Sequence, residues 1–159
     1  MSEATYEIEK LVWTGADFDE MSWHDVHVHA FRLITETGEV CFDIDYIFQW
    51  VVPVPPDNSY KFWVAPATLI FENSSDVELY WNALGLFELD GISRSEEVVH
   101  STGTSSWLWT LAGAIGGDAS LRARGYRMYV RKPPVLISEQ HLTLEERGGV
   151  SFEAGTVEV

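Results

Sequence analysis

The sequence predicts a mostly β protein: a single antiparallel domain, folded as a sandwich or a closed barrel with little helix. Apolar and polar residues alternate with period two along much of the chain, and turn residues interrupt them at spacings of about ten residues. Sustained helical periodicity is hard to find. The 159 residues fit one domain, 1–159, because a chain of this size buries about 70% of its unfolded surface around one core.

DVHVHAFRLI and EVCFDIDYIFQWV read as the first hairpin, and the prolines of VPVPPDNSY mark a loop after it. KFWVAPATLIFEN is the next strand, in which Pro66 suggests an edge position or a bulge. DVELYW follows a polar turn, and LFELDGISR carries an Asp-Gly pair suited to a tight turn. SEEVVHSTGTSS is polar enough for a loop or a short helix, and WLWTLAGAI continues as strand to Gly116 and Gly117. DASLRARGYRMYVRKPP kinks at Gly125 and stops at Pro133 and Pro134, and VLISEQHLTLEERGGVSFEA suits a hairpin better than a short helix.

The 25 acidic and 10 basic side chains give a formal charge of -15, which disfavours direct nucleic-acid binding and favours cationic partners. A single cysteine, Cys41, allows no intrachain disulfide. The acidic start MSEATYEIEKLVW does not resemble a signal peptide and no apolar run reaches membrane-spanning length, so a cytoplasmic location with no membrane association is expected.

The first hairpin holds the most informative pattern, two histidines and two aspartates at alternate positions. A three-residue loop of Glu36, Thr37 and Gly38, with Gly38 left-handed as a bulge, pairs residues whose numbers sum to 74. One face is then apolar apart from Arg32. The other carries His27, His29 and Phe31 against Asp43, Asp45 and Ile47, with His29 opposite Asp45. His27, His29, Asp43 and Asp45 are therefore the candidate ligands for a divalent metal, since two imidazoles and a carboxylate suit zinc or iron. The simpler alternative is a cross-strand polar pair on a wet strand face. The HxH pair also invites comparison with the cupin motif, but Leu33 and Ile34 stand where that motif needs its glutamate.

Arg122, Arg124, Arg127 and Arg131 are concentrated in an otherwise acidic chain and form a candidate anion-binding patch, or a solvated face paired with acids. Trp107 and Trp109 share a strand face, as a binding platform or as core. No phosphate loop, dinucleotide fingerprint or nucleophile elbow is present. MSWHD (21–25), FDIDYIFQWV (42–51) and FWVAPATLIFEN (62–73), together with WLWTL and GYRMYVRKP, resemble an uncharacterised family of small soluble bacterial proteins. That resemblance implies a bacterial source and an all-β fold, and it brings no activity. These features together suggest a non-enzymatic binding domain for a protein partner or small ligand, one version being an acidic immunity-type inhibitor of a basic toxin. The alternative is a metal-binding protein or metal-dependent enzyme using the His27, His29 and Asp45 face.

Overall fold

The computed structural model describes residues 4–82 and 85–157. Among these residues ten strands form one antiparallel sheet: β1 (Val12–Thr14), β2 (His27–Ile34), β3 (Glu39–Val51), β4 (Lys61–Phe71), β5 (Ser75–Trp81), β6 (Glu88–Val99), β7 (Ser105–Ile115), β8 (Gly117–Ala123), β9 (Tyr126–Val130) and β10 (Val135–Ile137). A 3-10 helix, Gly15–Glu20, follows β1, and one helical turn, α1 (Leu144–Arg147), lies near the C-terminus. The strand order is β1-β9-β4-β3-β2-β6-β7-β8-β5, with β10 beside β4, so β1 and β5 are the ends of a sheet that does not close on itself.

The join between β2 and β6 is narrow. Among the described residues only His27 and Glu88 pair in register, helped by backbone bonds from Val28 to Phe87 (2.8 Å) and from Leu89 to Val26 (2.9 Å). Strands on either side of this seam share one core: Phe42 and Ile44 of β3 and Leu69 and Phe71 of β4 belong with Leu111 of β7 and Leu121 of β8. At its centre Trp109 is fully buried, edge-on to Phe18 at 5.3 Å and to Tyr126 at 5.5 Å, and its indole N–H donates to the Ala123 carbonyl at 3.0 Å. The chain passes from one side of the seam to the other at Arg124 and Gly125, since β8 pairs with β7 and β5 whereas β9 pairs with β4 and β1.

Several local expectations change. The first hairpin has a four-residue turn, Thr35 to Gly38, closed by a bond from the Gly38 N–H to the Ile34 carbonyl (2.9 Å), and pairs Ile34 with Glu39. Gly38 takes φ 68° there, a left-handed conformation that glycine adopts without steric cost. Pairs therefore sum to 73 rather than 74 near the turn, and after a bulge at His29 they sum to 72, with His27 opposite Asp45 and Val28 opposite Ile44. A one-residue slip would exchange the two faces, and the bulge restores them. The longer turn also removes the polar exception on the apolar face: Arg32 now pairs with Cys41, and its guanidinium carbon lies 4.9 Å from the Phe152 ring centre.

Asp90 and Gly91 lie within β6 at register shifts instead of forming a turn, and Ser95 to Val99 extends β6 instead of forming a loop or helix. The segment after β10 is not a hairpin but holds α1. Pro66 lies in an interior strand, not at an edge. Its carbonyl accepts from Arg131 N–H at 3.0 Å, so its missing donor faces the interval between β9 and β10, where no ladder partner stands.

Trp109→Ala is expected to lower the unfolding free energy by about 3–5 kcal/mol, the usual cost of deleting a buried aromatic side chain. Urea denaturation monitored by far-UV circular dichroism measures it.

Candidate functional site

β3 is buried on both faces. Its even-numbered residues Val40, Phe42, Ile44 and Tyr46 enter the main core, while Asp43, Asp45 and Ile47 point to the other side. The polypeptide after β10 covers this second side, where Leu142 packs with Ile47, Phe62 and Val64 in a smaller cluster. The face read as wet from sequence is therefore dry, and Asp43 and Asp45 have no exposed surface.

Two buried carboxylates need partners, because an uncompensated charge in a dry environment is strongly unfavourable. Arg147 supplies most of them. Its guanidinium donates to Asp43 at 2.6 and 2.7 Å, to Asp45 Oδ1 at 3.1 Å and to the Ile44 carbonyl at 3.1 Å. Arg131 adds a bond to Asp43 at 2.8 Å, and backbone N–H groups of Leu142 (2.8 Å) and Ser151 (3.0 Å) reach Asp45 and Asp43 respectively. α1 delivers Arg147 with defined ends. Thr143 and Glu146 form a reciprocal capping box, and Gly148 closes the turn at φ 79°.

The histidines sit beside this ionic cluster. His29 Nε2 lies 2.6 Å from Asp45 Oδ2; because that carboxylate already accepts N–H bonds from Leu142 and Arg147, the imidazole is the donor. Burial acts to raise the Asp45 pKa, yet the His29 hydrogen bond and the charges of His29 and Arg147 hold it below its ordinary value. The His27 ring packs edge-on to His29 at 4.3 Å and stacks on His141 at 4.7 Å. Its Nδ1 is buried and has no hydrogen-bond partner. Burial, followed by the neighbouring His29 and His141, pushes the His27 pKa down to about 4. Glu88, opposite His27 across the seam, is raised by burial and by Asp25.

A cavity of about 300 Å³ opens beside these rings, lined by His27, His29, Phe31, Trp81 and Phe87 together with backbone and small side chains. Its described lining contains no carboxylate, thiol or hydroxyl side chain. Of the proposed ligands, His27, His29 and Asp45 converge, but Asp45 has both oxygens engaged and Asp43 is enclosed by two arginines. Among the described residues no group of three or more His, Cys, Asp or Glu side chains is arranged to hold a metal ion.

The four candidate arginines do not form one patch. Arg131 joins Asp43, Arg122 pairs with Glu96 at 2.7 Å, and Arg127 approaches Glu72 at 3.4 Å. Arg124 is exposed near Arg127, beside a separate depression. Trp109 is core, whereas half-buried Trp107 lies under the guanidinium of Arg94 at 4.5 Å. Arg147, His141, Glu88 and Arg94 escape the sequence reading. TLEER followed by two glycines does carry the capping signature that places Arg147 at a helix end.

No protein-family model, curated protein or solved structure matches the chain. Among the described residues no helix is long and apolar enough to cross a membrane.

Arg147→Met is expected to destabilise the protein by about 3–5 kcal/mol, as for other buried pairs that lose one partner. Restoring neutrality with Asp43→Asn in the same chain should recover part of the loss, and denaturant midpoints for the two single variants and the double variant test the coupling.

The depressed His27 pKa fixes a pH dependence. The unfolded imidazole takes up its proton near 6.5 and the folded one near 4, so stability is complete above pH 6.5 and declines as pH falls towards 4, by about 3 kcal/mol from this group. His27→Gln should flatten that decline. Urea unfolding at pH 7.5, 5.5 and 4.5 provides the comparison.

Proposed function

We propose that this chain is a non-enzymatic binding domain whose ligand seat is the cavity beside His27 and His29. The observation that carries this reading is the cavity's composition: imidazole and aromatic rings line it, and no described lining side chain is a carboxylate, thiol or hydroxyl nucleophile. Such walls favour an apolar group with one hydrogen-bonding function, supplied by a small molecule or by a partner protein's side chain. Asp43 and Asp45, the acids behind the histidine cluster, are engaged in ion pairs within the fold, and Glu88 faces His27 across the seam without lining the cavity. In the same reading the sheet's two groups of strands form a sandwich around the shared core.

The charge of -15 supports a cationic protein as the partner, because it would accelerate association with a basic surface. An immunity-type inhibitor of a basic toxin, acting in a bacterial cytoplasm, is the specific form of this proposal. The metal-dependent alternative uses His27, His29 and Asp45, and requires Asp45 to exchange an existing hydrogen bond for the ion.

Nuclear magnetic resonance titration with a set of small aromatic fragments tests the binding reading. Fragments bearing one donor or acceptor should shift the His27, His29 and Trp81 resonances, and Trp81→Ser with Phe31→Ser should abolish the shifts while the rest of the spectrum persists. Elemental analysis of protein purified without a histidine tag or chelator addresses the alternative. Near-stoichiometric metal that disappears in a folded His27→Ala, His29→Ala variant would replace the binding reading with the metal one.

A further inference from the structure

A second depression lies on a different part of the molecule, where the chain crosses between the two groups of strands. It has a volume of about 340 Å³ and is lined by Arg94, Arg124 and Arg127, with Glu72, Asn73, Tyr126, Gly125 and the Gly15 to Ala16 backbone completing it. Three guanidinium groups and one carboxylate give it a net charge of about +2 at neutral pH, on a protein whose formal charge is -15.

Elsewhere among the described residues exposed Arg32 forms no ion pair, whereas Arg122 at the surface and the largely buried Arg131 and Arg147 meet acids. Two of the three here do not. Among the described residues Arg94 and Arg124 form no ion pair, and Arg127 has one, with Glu72 at 3.4 Å between side chains about half exposed, beside a hydrogen bond with the Tyr129 side chain. Arg94 is held instead by rings: its guanidinium carbon lies 5.0, 4.5 and 5.7 Å from the ring centres of Phe18, Trp107 and Trp109. Cation–π packing fixes the plane of the group without consuming its N–H donors. Arg94 is thus oriented beforehand, on β6, while Arg124 and Arg127 come from the β8 to β9 crossing.

We infer that this depression is a binding site for a small organic phosphate, with Arg94, Arg124 and Arg127 taking the phosphate oxygens. Guanidinium forks match phosphate geometry, and a net charge of two is suited to a dianion better than to a single carboxylate. The volume admits a phosphate with a sugar-sized substituent. The site is separate from the cavity beside His27 and does not depend on that proposal.

Titration with inorganic phosphate, ribose 5-phosphate and acetate at constant ionic strength, read on the arginine Nε–Hε resonances, tests it. Both phosphates should give saturable shifts at Arg94, Arg124 and Arg127, with acetate at least tenfold weaker. Arg124→Gln with Arg127→Gln should weaken phosphate at least tenfold at an unchanged melting temperature, and Arg122→Gln should leave it unchanged. Absence of saturation, acetate binding as tightly as phosphate, or an equal loss in Arg122→Gln would each overturn the assignment. The last would show that phosphate senses general charge and not a built site.

Discussion

The pairing of Arg147 with Asp43 and Asp45 is the constraint around which the second face of β3 is arranged. Two carboxylates two residues apart on a central strand, both without exposed surface, have no stable environment unless positive charge and N–H donors reach them. Apart from the His29 imidazole on β2, the donors arrive from downstream: Arg131 from just after β9, and Leu142, Arg147 and Ser151 from the final segment. The ionic cluster thus does for this face what apolar packing does for the other. It fixes where the final segment lies, and Leu142 then adds a small hydrophobic contribution with Ile47, Phe62 and Val64.

The histidines inherit their environment from that arrangement. His29 hydrogen-bonds to Asp45, His141 arrives with the covering segment, and His27 between them is left as a neutral ring with a buried nitrogen. The bulge at His29 matters here as much as the residue types. It changes pairing by one residue and so keeps both imidazoles near the aspartates, although the turn is longer than the one that would have aligned His29 opposite Asp45. Charge on this face is thereby turned inward, which leaves the adjoining cavity walls to imidazole and aromatic groups.

Much of the fold was legible because strand alternation is a local signal. The limits of β2, β3, β4 and β7, the kink at Gly125 and the stop at Pro133 and Pro134 all follow from residues within a few positions of each other. What escaped was decided at a distance. The sequence of β3 is the same whether its aspartates meet water or Arg147, and nothing near position 43 announces a partner 104 residues away. Turn length was missed because Thr35 to Gly38 accommodates either loop, and Asp90-Gly91, a good turn by composition, is spent on a bulge. The helical turn was the exception. Thr143, Glu146 and Gly148 spelled out both of its ends, yet four residues are too few for periodicity to register. Arg94 carries no local mark at all, since its aromatic neighbours come from the 3-10 helix and from β7.

The long separation between Asp43 and its main partner has a consequence for synthesis. While the ribosome is adding β4 to β9, the outer face of β3 has no cover, and any sheet that has already assembled presents that face to solvent. Aspartates at these positions keep the uncovered strand charged, which works against edge or face association of the nascent chain. Arg147 then neutralises them only when the covering segment exists to exclude water. The same two side chains thus serve as solubilising groups early and as anchors late, a change of role that an apolar strand in their place would not permit.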